Sequence, residues 1–146
     1  MRSEIMDGIL RHIHPIGGIE NAKLLEVSPG HAKLSVEITQ KALNLYGNVH
    51  GGFLFSLCDT AAGMSTYAYE TANVTECSSI NFLRGVNTGT IYIESNAIHK
   101  GRKTVVNQVT VTNDAGKLVA SASFTMFLIA PNPLKVSFMY GHQSFS

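Results

Sequence analysis

Phe53-Leu54-Phe55-Ser56-Leu57-Cys58-Asp59-Thr60-Ala61-Ala62-Gly63-Met64-Ser65-Thr66-Tyr67-Ala68-Tyr69 is the stretch on which the fold turns. Its apolar residues cover nearly every direction of a helix, and a helix that is apolar all round is a buried one. A membrane span is the rival reading. It fails because Ser56, Asp59, Thr60, Gly63, Ser65 and Thr66 interrupt the run, which lacks the ~20 predominantly apolar residues of a spanning helix.

Both flanks of this helix read as strand. Upstream, Ala32, Leu34, Val36 and Ile38 alternate with His31, Lys33, Ser35 and Glu37, a half-buried strand by its period of two. Ile19 to Val27 is expected as the strand before it, joined by the turn Ser28-Pro29-Gly30. Before that, Ile5, Met6, Ile9, Leu10 and Ile13 fit one face of a short helix over 3–13, stopped by Pro15 and Gly17-Gly18. Thr39 to Gly52 reads as a loop. Downstream, Thr75–Leu83, Thr90–His99, Thr104–Thr112 and Lys117–Ile129 read as four strands. Asn113-Asp114-Ala115-Gly116 forms a hairpin turn between the last two. Short turns imply a largely antiparallel sheet, and a sheet wrapped around one apolar helix satisfies both elements. The expectation is an α+β domain over 19–130, preceded by an N-terminal helix or arm (1–18). Pro131 and Pro133 end the last strand, and a tail (131–146) follows with Phe138, Met139, Tyr140 and Phe145 able to cap a pocket or an interface.

The chain has 146 residues, 45% hydrophobic and 14% charged, with net charge +1. That suffices for one core and offers no basic footprint for nucleic acid. Cys58 and Cys77 have neither metal-ligand spacing nor a disulfide framework around them. The first residues lack a basic region followed by an unbroken apolar run. The expectation is therefore a cytoplasmic protein that binds neither nucleic acid nor membrane.

Between Lys41 and Glu70 the only Asp, Glu, Lys or Arg is Asp59. A carboxylate in such apolar surroundings is paired, protonated or functional. The plain alternative is an acid satisfied by a hydroxyl, a helix end or a subunit boundary. At the helix entrance stands His50-Gly51-Gly52. Glycines there let another molecule approach the free N–H groups at the positive end of the helix, which suits a developing oxyanion. Two glycines alone also make an ordinary turn. Gly51 and Asp59 are eight residues apart, about 12 Å along one helix, too far for one copy to bring both to one reacting centre. Two antiparallel helices across a two-fold axis bring Gly51 of one copy to Asp59 of the other, so a shared site implies an obligate dimer.

The run Asn44-Leu45-Tyr46-Gly47-Asn48-Val49-His50-Gly51-Gly52 through Leu57-Cys58-Asp59-Thr60-Ala61 resembles the N-x-x-G-x-x-H-G-G-x-x-x-x-L-x-D-x-A signature of hotdog-fold acyl-CoA thioesterases of the PaaI-like group. The resemblance extends through Ile80-Asn81-Phe82-Leu83-Arg84, Gly101-Arg102 and Gly116-Lys117-Leu118-Val119-Ala120. It implies the hotdog fold and hydrolysis of an acyl-CoA by a homodimer, expected as a dimer of dimers. By the same resemblance Asp59 is the general base or nucleophile, the Gly51 N–H polarises the thioester carbonyl, Asn44 helps hold water or carbonyl, and Thr75 orients the water. It also places His50, Gly52, Arg84 and the segment Lys100-Gly101-Arg102-Lys103-Thr104 at the substrate, the last near the coenzyme A nucleotide. Lys100, Arg102 and Lys103 equally suit a solvated hairpin, and His50 suits a structural hydrogen bond better than a base. No metal or redox cofactor is expected, coenzyme A being part of the substrate. The acyl pocket would depend on side chains such as Phe53, Phe55, Leu57, Tyr67 and Phe82. Hydration or dehydration of an acyl thioester on the same fold, using His50 with Asp59, and non-catalytic acyl-CoA binding are the competing functions.

Overall fold

A computed structural model describes residues 1–130; the tail 131–146, with its expected strand-ending prolines and capping arm, lies outside the described residues. Six strands form one antiparallel sheet: β1 (Lys23–Ser28), β2 (His31–Glu37), β3 (Ala72–Phe82), β4 (Thr90–Lys100), β5 (Thr104–Thr112) and β6 (Leu118–Ala130). Their order across the sheet is β1-β2-β4-β5-β6-β3. Two α-helices accompany them, the short α1 (Ser3–Leu10) and the central α2 (Gly51–Tyr67). This is the hotdog arrangement expected from the sequence. Among the described residues no helix is long and apolar enough to cross a membrane.

The alternating strands turn one set of side chains onto α2. Leu34, Val36, Ile91, Ile93, Val109, Val111, Ala120 and Phe124 are buried against Phe53, Leu54, Leu57, Cys58, Ala61 and Ala62 of the helix. Deeper along α2 the core becomes polar but fully paired. Asn107 of β5 accepts from Ser65 Oγ (3.1 Å) and donates to Thr66 Oγ1 (3.2 Å), while Ser65 also meets Ser95 Oγ (3.1 Å). Pairing is what permits these hydroxyls and this amide inside.

Three details differ from the sequence reading. The strand expected from Ile19 begins only at Lys23. Gly18 adopts φ 111°, its N–H donates to the Glu20 carboxylate, and Ile19–Asn21 winds into a 3₁₀ turn instead. The helix expected over 3–13 ends at Leu10, where His12 and Ile13 donate to the carbonyls three residues back. None of the α1 side chains is buried. Finally, α2 is not covered all round. The sheet wraps one side, and Gly52, Ser56, Thr60 and Tyr67 line an exposed face. The residues that interrupt the apolar run are therefore sorted, with Ser65 and Thr66 inward, Ser56 and Thr60 outward, and Asp59 and Gly63 between.

Candidate active site

Asp59 lies on the open face of α2 and is half-buried. Its partner comes from β3: Thr75 Oγ1 donates to Asp59 Oδ1, and the same hydroxyl lies 3.8 Å from Met126 Sδ. A bulge in β3 arranges this meeting. Thr75 pairs with Met126 and Cys77 with the adjacent Thr125, so Glu76 is the extra residue. A bulge reverses which side of a strand its residues face. Before it, Asn73 and Thr75 reach α2; after it, Ile80 packs into the core and Phe82 lies over Gly51. The polar run Glu76-Cys77-Ser78-Ser79 is thus the segment in which the alternation changes hand. Beside Asp59, burial pushes the Cys58 thiol up to about 12, with the Asp59 charge adding to the effect. This thiol is an inert core group.

His50 caps α2. Its Nδ1 accepts the Gly52 N–H at 3.1 Å, and its carbonyl accepts from Phe53 (3.0 Å) and Leu54 (3.2 Å). The Nδ1 acceptor role places the proton of neutral His50 on Nε2. Three of the first four N–H groups of the helix are thereby satisfied, and the Gly51 N–H has no acceptor among the described residues. It is one orphan donor at the positive end of a 17-residue helix. A Cβ on Gly51 would stand 3.1 Å from Phe82 Cζ. Gly51 opens on a cavity of about 380 Å³ that Val49, Leu54, Phe82, Arg84 and Val86 also line.

Asn44 closes the loop before α2. Its Oδ1 accepts from the N–H groups of Tyr46 (2.9 Å) and Asn48 (3.2 Å). This leaves the Nδ2 donors as the part of the side chain able to meet a ligand.

The residues expected at the substrate fall into two groups at opposite ends of α2. His50, Gly51, Gly52 and Arg84 stand at its start. The hairpin Lys100–Thr104, closed by Gly101 N–H to Thr104 O at 2.8 Å, stands at its far end, where Lys100 Nζ sits 5.1 Å above the ring of Tyr69. The helix between them is about 25 Å long at ~1.5 Å per residue.

The side chains expected to shape an acyl pocket divide as well. Phe53 and Leu57 are buried in the core, and Phe55 packs on Phe124 with ring centres 5.2 Å apart. Tyr67 instead lines an apolar groove of about 580 Å³ on the open face, with Thr60, Gly63, Met64, Val27 and Asn73. The sequence reading missed this groove. Its one signal was spacing, since Thr60, Gly63 and Tyr67 share a helix face with Asp59.

Comparison with known proteins places the chain in a family. The thioesterase superfamily profile matches residues 46–120. A hypothetical thioesterase of Streptococcus pneumoniae, solved with coenzyme A, is 35% identical; the match covers 82% of this chain and 97% of that one, with a TM-score of 0.79. The same protein has been solved as an Asp→Ala and as a Thr→Ala variant. A Streptococcus mutans protein bound to acetyl-CoA is 38% identical over 83% of this chain and 98% of its own, with a TM-score of 0.76. The acyl-coenzyme A thioesterase PaaI of Escherichia coli is 32% identical over 98 residues, 66% of this chain and 70% of its own. The chain belongs to the thioesterase superfamily and, within it, to the PaaI-like group of hotdog-fold thioester hydrolases.

Proposed function

We propose that the chain hydrolyses acyl-CoA thioesters as a homodimer in which Asp59 of one protomer and Gly51 of the partner subunit share a reacting centre. The observation that carries this reading is the Asp59–Thr75 pair on the uncovered face of α2, with an unpaired Gly51 N–H at the tip of the same helix. The two lie about 12 Å apart along the axis, so the tip of a second, antiparallel helix supplies the missing donor. The edge of the sheet favours such a partner. β3 is eleven residues long, among the described residues hydrogen-bonded on one side only, and exposed over most of its length. An edge of that length is a template for pairing with another chain. Two such dimers would make the expected tetramer.

The Thr75 hydroxyl fixes one carboxylate oxygen of Asp59 and leaves the other to take a proton from water. The water oxygen attacks the thioester carbon, and the carbonyl oxygen becomes an oxyanion facing the Gly51 N–H of the partner subunit. The Asn44 amide donors are the second group suited to hold water or carbonyl. Collapse of the intermediate breaks the C–S bond, and the departing thiolate recovers the proton held by Asp59. A thiol with a pKa of about 8.5 needs little further help to leave, so this route calls on no metal or redox cofactor; coenzyme A enters with the substrate. Attack by Asp59 itself, through a mixed anhydride, uses the same atoms. Arg84 near the glycine tip and Lys100, Arg102 and Lys103 on the hairpin are suited to the coenzyme A phosphates. Support also comes from the pneumococcal relative, whose Asp→Ala and Thr→Ala variants have the same separation in sequence as Asp59 and Thr75.

Thiol release from a panel of acyl-CoA esters tests the proposal. Asp59→Asn is expected to lower turnover by about 10²–10⁴, the usual worth of a general base, with an unchanged melting temperature. A fully active Asp59→Asn enzyme removes this carboxylate from the reaction. A monodisperse monomer that hydrolyses acyl-CoA removes the shared centre.

A further inference from the structure

We infer that the acyl group of the substrate lies in the apolar groove along the C-terminal half of α2, and that this groove selects a linear aliphatic chain of medium length. The inference rests on the proposed role of Asp59.

The groove begins where the carboxylate ends. Thr60 follows Asp59 in sequence, Gly63 is one turn further on, and Tyr67 is two. All lie on the face of α2 that the sheet leaves open. An occupant of this groove therefore touches the reacting centre at one end and Tyr67 at the other, about 12 Å away along the helix axis. The volume of about 580 Å³ falls within the range of small-ligand sites.

The donors of Thr60 and Asn73 in the wall are already engaged, and the Tyr67 hydroxyl stands only at the far end. Thr60 Oγ1 donates to Ser56 O at 2.8 Å. Asn73 Nδ2 donates to Gly63 O (3.3 Å) and Thr71 O (3.4 Å). Among the described residues no acidic or basic side chain lines the groove. A carboxylate carried on the acyl group short of Tyr67 would thus leave water and meet no free donor, which disfavours such substrates. A plain hydrocarbon loses nothing by the transfer and gains burial.

Gly63 makes the floor. A Cβ there would meet Asn73 Oδ1 at 3.9 Å and Met126 Cε at 4.0 Å, both ordinary contacts. Helix backbone alone forms the bottom at this point, so a chain can lie flat against it. Met64, unbranched and adaptable, suits a flexible hydrocarbon better than a ring of fixed shape. Tyr67 closes the far end.

The test is kcat/KM for thiol release from straight-chain saturated acyl-CoA esters, acetyl to hexadecanoyl, with phenylacetyl-CoA and 4-hydroxybenzoyl-CoA alongside. For the native protein it should rise about fourfold per added methylene until the chain reaches Tyr67, then level off, with both aromatic esters below the best aliphatic one. Gly63→Leu should invert the order, making the shortest chains the best. Tyr67→Ala should move the plateau to longer chains, a gain that damage to the fold does not produce. Since Tyr67 is exposed, that variant carries the test even where Gly63→Leu fails to fold. A flat chain-length profile, a hydroxylated aromatic ester as the best substrate, or an unshifted plateau in Tyr67→Ala overturns the inference and leaves the proposed hydrolysis standing. Failure to release thiol from every ester brings down the proposed hydrolysis, and this inference with it.

Discussion

Replacing Gly51 with alanine separates the chemistry of the helix tip from its stability. Gly51 opens α2 with an ordinary helical backbone, so alanine is free to adopt its conformation. The new methyl would meet the Phe82 ring at 3.1, 3.4 and 3.5 Å. The first two distances fall inside the usual carbon–carbon optimum of about 3.5–4.0 Å, the shortest by a few tenths of an ångström. The ring is 52% exposed and can swing outward by that amount. The strain is offset by the helix preference of alanine over glycine, up to about 1 kcal/mol. Melting should therefore shift by only a few degrees. Activity should respond far more. The methyl stands beside the one unsatisfied N–H of the first turn, where the thioester oxygen would approach, and loss of an oxyanion donor is worth about 10²–10³ in rate. The assay is thiol release from acyl-CoA at substrate concentrations spanning KM, run alongside thermal melts. The double variant Gly51→Ala with Phe82→Ala identifies the cause. If the displaced ring is responsible, trimming it restores the rate; if the obstructed N–H is responsible, it does not. Activity within threefold of the native enzyme in Gly51→Ala, at equal melting temperature, would refute the role given to this donor.

Other perturbations follow from the same geometry. His50→Ala removes the acceptor of the Gly52 N–H and should cost about 0.5–2 kcal/mol in urea unfolding, while His50→Asn, another capping side chain, should recover most of that loss. Asn107→Leu breaks the bonds to Ser65 and Thr66 in the core and should lower stability by about 1–3 kcal/mol. The Cys58 thiol has its pKa raised by burial from 9.0 to about 12, so the unfolded chain releases this proton first. Its contribution to stability is full below pH 9.0 and is lost as pH rises from there toward about 12; urea midpoints should fall over that window, and less steeply in Cys58→Ala. For the same reason a thiol reagent at pH 8 should modify exposed Cys77 in the native protein and reach Cys58 only after unfolding.

The central helix and the hairpins were legible because local chemistry dictates them. An apolar run of that length must be covered, and Asn113 next to Gly116 makes its turn almost unaided, Asn113 Oδ1 accepting from Ala115 and Lys117 while Gly116 takes φ 75°. What escaped reading depends on distant partners. The bulge at Glu76 leaves no mark in a polar strand, because alternation informs only where one side is apolar. The 3₁₀ turn at Ile19–Asn21 is set by Gly18 and the reach of one carboxylate. The groove beside Asp59 draws on β1, α2 and β3, so no window of sequence contains it. The composition of α2 suggested a helix enclosed on all sides; the described residues leave one face open, because the sheet wraps only the other.

The positions where this chain departs from good local design converge on one region. Asp59 is a carboxylate in a helix otherwise free of charge. Gly51 and Gly52 open that helix with the residue worst suited, after proline, to remain in it. β3 is a long edge strand bent by a bulge, its outer backbone groups unpaired among the described residues. Each lowers the stability of an isolated protomer. Taken singly, each has a bland explanation: a satisfied acid, a turn, an irregular edge. Taken together they do not. The bulge delivers Thr75 to Asp59, the same strand carries Phe82 to Gly51, and the unpaired edge belongs to that strand. A departure that served only local packing would have no reason to fall where the other two do. Sequences that specify their fold consistently tend to break the rules where function requires it. Here one strand links all three departures, and a second copy added along that strand would answer the open edge and the orphan N–H at once, leaving the C-terminal half of the open helix face to the acyl chain.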